Sequence, residues 1–209
     1  MKALLINGSP HEKGCTHRAL LEVAGALEKE GFETEIAWIG DGPVRGCLAC
    51  KACSADPGHC AFGDEDCVNA LIEKCAAADA LVVGSPVYFA GTNGALHAVL
   101  DRMFYAGNTL FRFKPAAGIA SARRAGTTPT IDQINKFFQI SCMPVASSVY
   151  WPMVHGSTPA DVEQDEEGLQ AMRMVGAELA WMARSFACAR EAGIEPPTVE
   201  PKLRTNFIR

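Results

Sequence analysis

Residues 2–16, Lys-Ala-Leu-Leu-Ile-Asn-Gly-Ser-Pro-His-Glu-Lys-Gly-Cys-Thr, decide the fold of this chain. Lys2–Ile6 reads as a buried strand. Asn7, Gly8, Ser9, Pro10 and Gly14 make a turn of small and breaking residues, and Thr16 opens a segment with helical spacing. A strand, a polar turn and a helix N-terminus together form an anion site: the first helical N–H groups lack internal partners, and the helix dipole favours negative charge there. Missing residues narrow the kind of phosphate. A triphosphate loop needs Gly, four residues, then Gly-Lys-Ser/Thr. Here five residues separate Gly8 from Gly14, and Cys15 stands where the lysine belongs. The dinucleotide fingerprint Gly-x-Gly-x-x-Gly is also absent. A hydroxyl-rich turn with Ser9 and Thr16 as donors suits one terminal phosphate, as in a mononucleotide cofactor. The competing reading is an ordinary strand-to-helix turn with a threonine cap.

Outward from this stretch, apolar runs alternate with helical spacing. Strands are expected at Lys2–Asn7, Glu33–Ile39, Ala80–Gly84, Ala116–Ser121 and Val145–Tyr150. Helices are expected at Thr16–Glu30, Asp66–Ala77, Asn93–Tyr105, Thr128–Ser141 and Asp165–Ala192. Ala80–Gly84 is almost uniformly apolar, as a strand buried on both faces must be. Such alternation predicts an α/β, flavodoxin-like, doubly wound five-stranded parallel sheet of order 2-1-3-4-5 with helices on both faces and ligands at the strands' carboxyl ends. One domain over residues 1–192, with a cysteine-rich loop at 40–66, is followed by an extended tail at 193–209 in which Pro196, Pro197 and Pro201 forbid a helix.

The net charge of −5 and the lack of a basic run argue against a nucleic-acid surface. No apolar run reaches the length of a membrane span, and the start lacks a signal-peptide pattern, so a cytoplasmic location and no membrane partner are expected. Nine cysteines, an odd number, in such a chain read as thiols, buried fillers or metal ligands rather than disulfides.

Two further loops meet the phosphate turn at the predicted sheet edge. Ser85-Pro86-Val87-Tyr88-Phe89-Ala90-Gly91-Thr92-Asn93 brings a proline, two aromatics and a glycine to the end of a buried strand. Those are parts that hold a planar heteroaromatic ring, with backbone N–H groups for its polar edge. Ser121-Ala122-Arg123-Arg124-Ala125-Gly126-Thr127-Thr128 offers arginines suited to phosphate, against the simpler reading of solvated surface side chains.

These residues resemble the NAD(P)H-dependent FMN reductase family. Asn-Gly-Ser-Pro…Gly-x-Thr at 7–16 is similar to its FMN-phosphate loop. Ser-Pro-Val-Tyr-Phe-x-Gly at 85–91, followed by Leu100-Asp101-Arg102, is similar to its isoalloxazine loop and next helix, and Arg123-Arg124-x-Gly126 to its third flavin loop. The resemblance implies that Ser9, Pro10, His11, Thr16 and His17 surround the phosphate. It places Pro86, Val87, Tyr88 and Phe89 along the flavin, and has Ser121, Arg123, Arg124 and Gly126 close the site. It implies a homodimer with flavin near the interface; read from the sequence alone, the apolar tail segment Asn206-Phe207-Ile208 is either disordered or docks on the fold or on a second subunit. The chain departs from the pattern at Cys15, where many relatives have Asn, and at His11-Glu12, where a basic pair is common.

Cys47-x2-Cys50-x2-Cys53-x6-Cys60 is the second outstanding feature. Thiolates so spaced can close around an iron–sulfur centre. The spacing resembles that of iron–sulfur flavoproteins, which carry a [4Fe-4S] cluster beside FMN. A tetrahedral zinc site and metal-free thiols are the alternatives. Cys67, Cys75, Cys142 and Cys188 are expected as core fillers, and His17, His59, His97 and His155 show no metal spacing.

The functional expectation is an FMN-dependent oxidoreductase taking a hydride from NAD(P)H and passing electrons to a small-molecule acceptor such as a flavin, quinone, azo or nitro compound. The alternative is an electron carrier between FMN, a [4Fe-4S] cluster and a redox protein. The flavin carries the chemistry, so no side chain is needed as a nucleophile.

Overall fold

The computed structural model describes residues 1–203, 205 and 207. Five parallel strands, β1 (Lys2–Asn7), β2 (Glu33–Trp38), β3 (Ala80–Pro86), β4 (Ala116–Ala122) and β5 (Met153–His155), form one sheet of order β2-β1-β3-β4-β5. The helices are α1 (Cys15–Lys29), α2 (Val68–Ala77), α3 (Gly94–Phe111), α4 (Thr127–Ile140), the short α5 (Pro159–Val162) and α6 (Glu166–Glu191).

Alternating side chains of each central strand feed two cores, because successive residues point to opposite faces. Ala3 and Leu5 of β1 and Ala80 and Val82 of β3 pack with α1 and α6. Leu4, Ile6, Leu81 and Val83 face the layer of α2, α3 and α4. This double burial explains the unbroken apolar run of β3.

The fifth strand is not where its apolar run suggests. Val145 makes only an isolated parallel bridge to Ala116, and the paired segment is Met153–His155, in register with Ala120–Ala122. Ser148 adopts φ +63, its N–H donates to Glu178 Oε2 at 2.8 Å and its hydroxyl donates to Ala171 O at 2.8 Å. These bonds to α6 draw residues 147–151 out of the sheet and leave Val149, Tyr150 and Trp151 exposed. Cys75 is buried as expected, whereas Cys142 and Cys188 are exposed and fill no core. The described tail residues after Gly193 carry no regular structure. Asn206 and Ile208 lie outside the described residues, and Phe207 is exposed.

Helix α1, which follows the turn at residues 8–14, is tied to its neighbours by a charge network. Glu22 lies between Arg18 on its own helix, at 2.9 Å, and Arg173 of α6, at 2.6 Å, while Arg18 also pairs with Glu163. Burial would raise the Glu22 pKa, but the bonds and charges of Arg173 and Arg18 outweigh it and hold the carboxyl below its ordinary value of 4.5. A depressed folded pKa contributes stability above the unfolded value, and that stability is lost as pH falls through the folded value. Glu22→Gln should therefore cost about 1 kcal/mol in denaturant unfolding at pH 7, with the gap closing as pH falls below the ordinary carboxylate range. An equal gap at pH 7 and below that range would refute the charge network.

Candidate functional site

Gly8 starts the turn under tight constraint. Its N–H donates to Gly84 O at 2.9 Å, and an added Cβ would stand 2.4 Å from Leu96 Cδ2 and 2.8 Å from Gly84 O. Asn7, fully buried, braces the rest of the turn. Its Oδ1 accepts from Ser9 N–H at 3.1 Å and its Nδ2 donates to Glu12 O at 2.9 Å. Trp38 Nε1 donates to Ser9 O at 2.8 Å, and the Ser9 hydroxyl accepts from His11 N–H at 3.1 Å. Helix α1 then opens at Gly14 with no side-chain cap, so a threonine cap does not occupy its first-turn N–H groups.

The hydroxyls of Thr16 and Ser121 meet at 2.8 Å and are both buried. One hydrogen bond between two hydroxyls uses one hydrogen and leaves the other for a further acceptor. Burial, helped by Lys13 and opposed by Glu12, lowers the His17 pKa, so its imidazole is mainly neutral at pH 7. Burial raises the Cys15 thiol, with a smaller push from Asp161, and Sγ donates to Gly156 O at 3.6 Å. Cys15 thus brings no negative charge to the turn. His11 is exposed and Pro10 half-buried.

The second loop is fastened at its base by Ser85, whose hydroxyl donates to Pro86 O at 2.8 Å and accepts from Asn93 N–H at 3.0 Å. Asn93 caps α3 through Ala95 and Leu96 N–H. Between them, Tyr88 and Gly91 exchange both backbone bonds around Phe89 and Ala90, whose φ values are +50 and +58. Two consecutive left-handed residues make a tight reversal that non-glycine residues adopt at a cost of about 1–3 kcal/mol each, a kind of strain found concentrated at ligand clamps.

Fewer backbone donors are available here than the sequence suggested. Val87 N–H donates to Ser121 O and Tyr88 N–H to Gly91 O, both at 2.9 Å. Phe89 N–H has no partner among the described residues. Phe89 is fully exposed and Tyr88 half-exposed. The third loop locks onto the second at Gly126, where φ is +94 and a Cβ would fall 2.8 Å from Val87 Cγ1 and 2.9 Å from Ala90 Cα. Arg123 and Arg124 are exposed, and among the described residues neither has a carboxylate within salt-bridge distance. The Ser9–Thr16, Pro86–Phe89 and Ser121–Gly126 segments therefore converge at the carboxyl ends of β1, β3 and β4.

The four cysteines singled out from the spacing line one pocket. Cys47, Cys50, Cys53 and Cys60 share it with Lys51, Phe62, Arg102 and Tyr105. Burial raises the Cys53 thiol pKa, and the neighbouring thiols Cys50, Cys47 and Cys60 add to the rise. Among the described residues, no three Cys, His, Asp or Glu side chains stand in the arrangement that holds a metal ion.

The Cys60 arm is rigidly held. Asn69, buried on α2, accepts from Cys60 N–H at 2.8 Å and contacts Cys60 O at 3.1 Å, Gly63 O at 2.9 Å and His59 Nε2 at 3.0 Å through Nδ2. Arg102 of α3 is also buried, and its Nε donates to Cys60 Sγ at 3.3 Å. The motifs of the sequence do not single out Asn69 and give Arg102 no role. Both lie on buried helix faces, Arg102 three residues after Val99 and beside Met103. A charge within an apolar stripe is the signal that betrays a buried partner.

Residues 1–158 match the family described as NADPH-dependent FMN reductase. An iron-sulfur flavoprotein of Methanocaldococcus jannaschii is 32% identical over 192 residues, covering 86% of this chain and 96% of that protein. An iron-sulfur flavoprotein of Methanosarcina thermophila is 32% identical over 177 residues, covering 82% and 90%. In fold, the chain is similar to RosB with bound 8-demethyl-8-formylriboflavin-5'-phosphate (TM-score 0.70, 20% identity, 100% and 92% covered). It is also similar to a flavodoxin from the domain Archaea (TM-score 0.59, 15% identity, 88% and 99% covered). No described helix is long and apolar enough to cross a membrane. A match that begins at the strand before the phosphate turn and runs past β5 places this chain in the NADPH-dependent FMN reductase family, as an FMN-dependent oxidoreductase of flavodoxin-like fold.

Proposed function

We propose that the protein is an electron carrier in which FMN, reduced by NADH or NADPH, shares electrons with a [4Fe-4S] cluster held by Cys47, Cys50, Cys53 and Cys60 and, through it, with a redox partner. The observation that carries this reading over direct reduction of a small molecule is the pocket itself, where four thiols gather against a buried guanidinium. The relatives named iron-sulfur flavoprotein support it. When bound, the flavin supplies hydride and single-electron chemistry, and the cluster supplies one-electron storage.

This chain's residues bind and orient. The uncapped start of α1 and the spare hydroxyl hydrogen of the Thr16–Ser121 pair would hold a terminal phosphate, and Phe89 N–H would serve the polar edge of the ring. The donor set of the cysteine pocket fits an iron–sulfur centre. A single tetrahedral zinc fits less well: zinc sites more often use two separated Cys-x-x-Cys pairs, whereas Cys47, Cys50, Cys53 and Cys60 form a single run.

The two sites are joined by α3. Its N-terminus closes the ring loop at Asn93, and Arg102 lies about 13.5 Å further along at the helical rise of 1.5 Å per residue. The proposal includes a homodimer. Exposed Phe89, Tyr150 and Trp151, the last two packed edge to face at 4.9 Å, supply apolar surface for a second copy to cover.

Protein purified without oxygen should contain FMN and about four irons with matching acid-labile sulfide per chain. FMN without iron, together with rapid NAD(P)H oxidation in air, would establish the plain reductase instead. Two variants should separate the sites. Thr16→Val should weaken FMN binding about tenfold, read by quenching of flavin fluorescence, and leave iron content unchanged. Asn69→Ala should lower iron content and leave FMN affinity unchanged, because it frees the Cys60 arm alone. Loss of both cofactors in either variant would contradict the assignment of separate sites.

A further inference from the structure

Arg102 is a buried cation whose partners are incomplete. Its side chain is 1% exposed. Nη1 donates to Arg45 O at 3.2 Å and to Asp66 Oδ2, and Nε donates to Cys60 Sγ at 3.3 Å. Nη2 is buried and has no hydrogen-bond partner among the described residues. Nη2 shares with Nε the edge of the planar fork that faces Cys60, so that edge holds one donor in use and one unspent. The guanidinium carbon lies 4.7 Å from the centre of the Phe62 ring, which keeps water from one face. A buried charge and an unmade buried hydrogen bond are both costly unless something of opposite charge satisfies them. Asp66 balances the charge but leaves Nη2 unpaired.

We propose that Arg102 and Asp66 form a charge pair that sets the reduction potential of the cysteine-pocket cluster, with Arg102 donating to the cluster's sulfur through its Nε–Nη2 edge and Asp66 moderating its charge. This rests on the cluster reading given above. Reduction adds one electron, taken from reduced flavin in the working protein and from dithionite in a titration, and so adds one unit of negative charge to the cluster. Cluster potential follows net charge and hydrogen bonds to sulfur. Arg102 stabilises the added charge and raises the potential. Asp66, on the far side of the guanidinium, opposes it. The two residues therefore act with opposite sign, which a purely structural role does not predict.

The test uses the full chain, purified without oxygen, as wild type, Arg102→Met and Asp66→Asn. Iron and acid-labile sulfide are counted first, and the cluster midpoint is then read by electron paramagnetic resonance during dithionite titration. Arg102→Met should shift the midpoint to more negative values and Asp66→Asn to more positive values. Asp66→Asn keeps the side-chain oxygen that accepts from Val68 N–H at 3.1 Å, so it preserves the start of α2. If Arg102→Met does not fold or load, Asp66→Asn decides: a positive shift upholds the pair and an unchanged midpoint overturns it. Loaded variants that both keep the wild-type midpoint, or that shift in the same direction, overturn it as well. A wild type devoid of iron and sulfide overturns the cluster reading, and this proposal with it, and so is distinct from a failure of the tuning alone.

Discussion

The contact on which the rest depends is the approach of Gly8 to Gly84 at the adjoining ends of β1 and β3. The Gly8 N–H reaches Gly84 O at 2.9 Å, and Leu96 closes over the place where a side chain would be. At this point the chain order reverses across the sheet, with β2 on one side of β1 and β3 on the other. Connections leave in opposite directions there and open a crevice at the strands' carboxyl ends. The close packing at Gly8 sends the turn over that crevice, sets the uncapped start of α1 beside Ser121 and fixes the first turns of α3 through Leu96. The turn at residues 9–14 and the loop at residues 85–93 both start from this contact.

The cysteine pocket depends on α3 as much as on the cysteines. Residues 40–67 form a loop with little regular structure beyond a single 3-10 turn at Ala52–Ser54. Such a loop does not arrange four thiols unaided. It is pinned by Asn69 of α2 at the Cys60 arm, by Arg102 of α3 at the sulfur of Cys60, and by the Gly58 N–H donating to Ala106 O at 2.7 Å. The same helix whose start is capped by Asn93 of the 85–93 loop thus anchors the cysteine pocket about two turns into its length. This joint use of one rigid element is the physical basis for the proposal that the two sites work together.

Much of this was legible in the sequence because the central strands are buried on both faces. A double apolar run such as Leu81–Val83 permits little besides an inner parallel strand, and the glycines and hydroxyls after β1 mark the turn. The fifth strand was misplaced because Val145–Tyr150 has a strand's composition, while its fate is decided by Glu178 and Ala171, remote partners on α6. The ring loop was over-credited with donors because spacing does not reveal that Val87 and Tyr88 spend theirs on Ser121 and Gly91. The cysteine spacing pointed to a shared site, but the buried arginine beside it could be read only as an anomaly in the apolar stripe of α3.

The central claim is that flavin and an iron–sulfur cluster occupy one chain, at the strand ends and in the cysteine pocket. An anomalous difference map measured at the iron absorption edge, from crystals grown without oxygen, tests it most directly. The account predicts one large iron peak enclosed by the sulfurs of Cys47, Cys50, Cys53 and Cys60 beside Arg102, with flavin density over the turn of residues 9–16. Flavin density with no iron peak in that pocket, or a zinc-edge signal there instead, would contradict it.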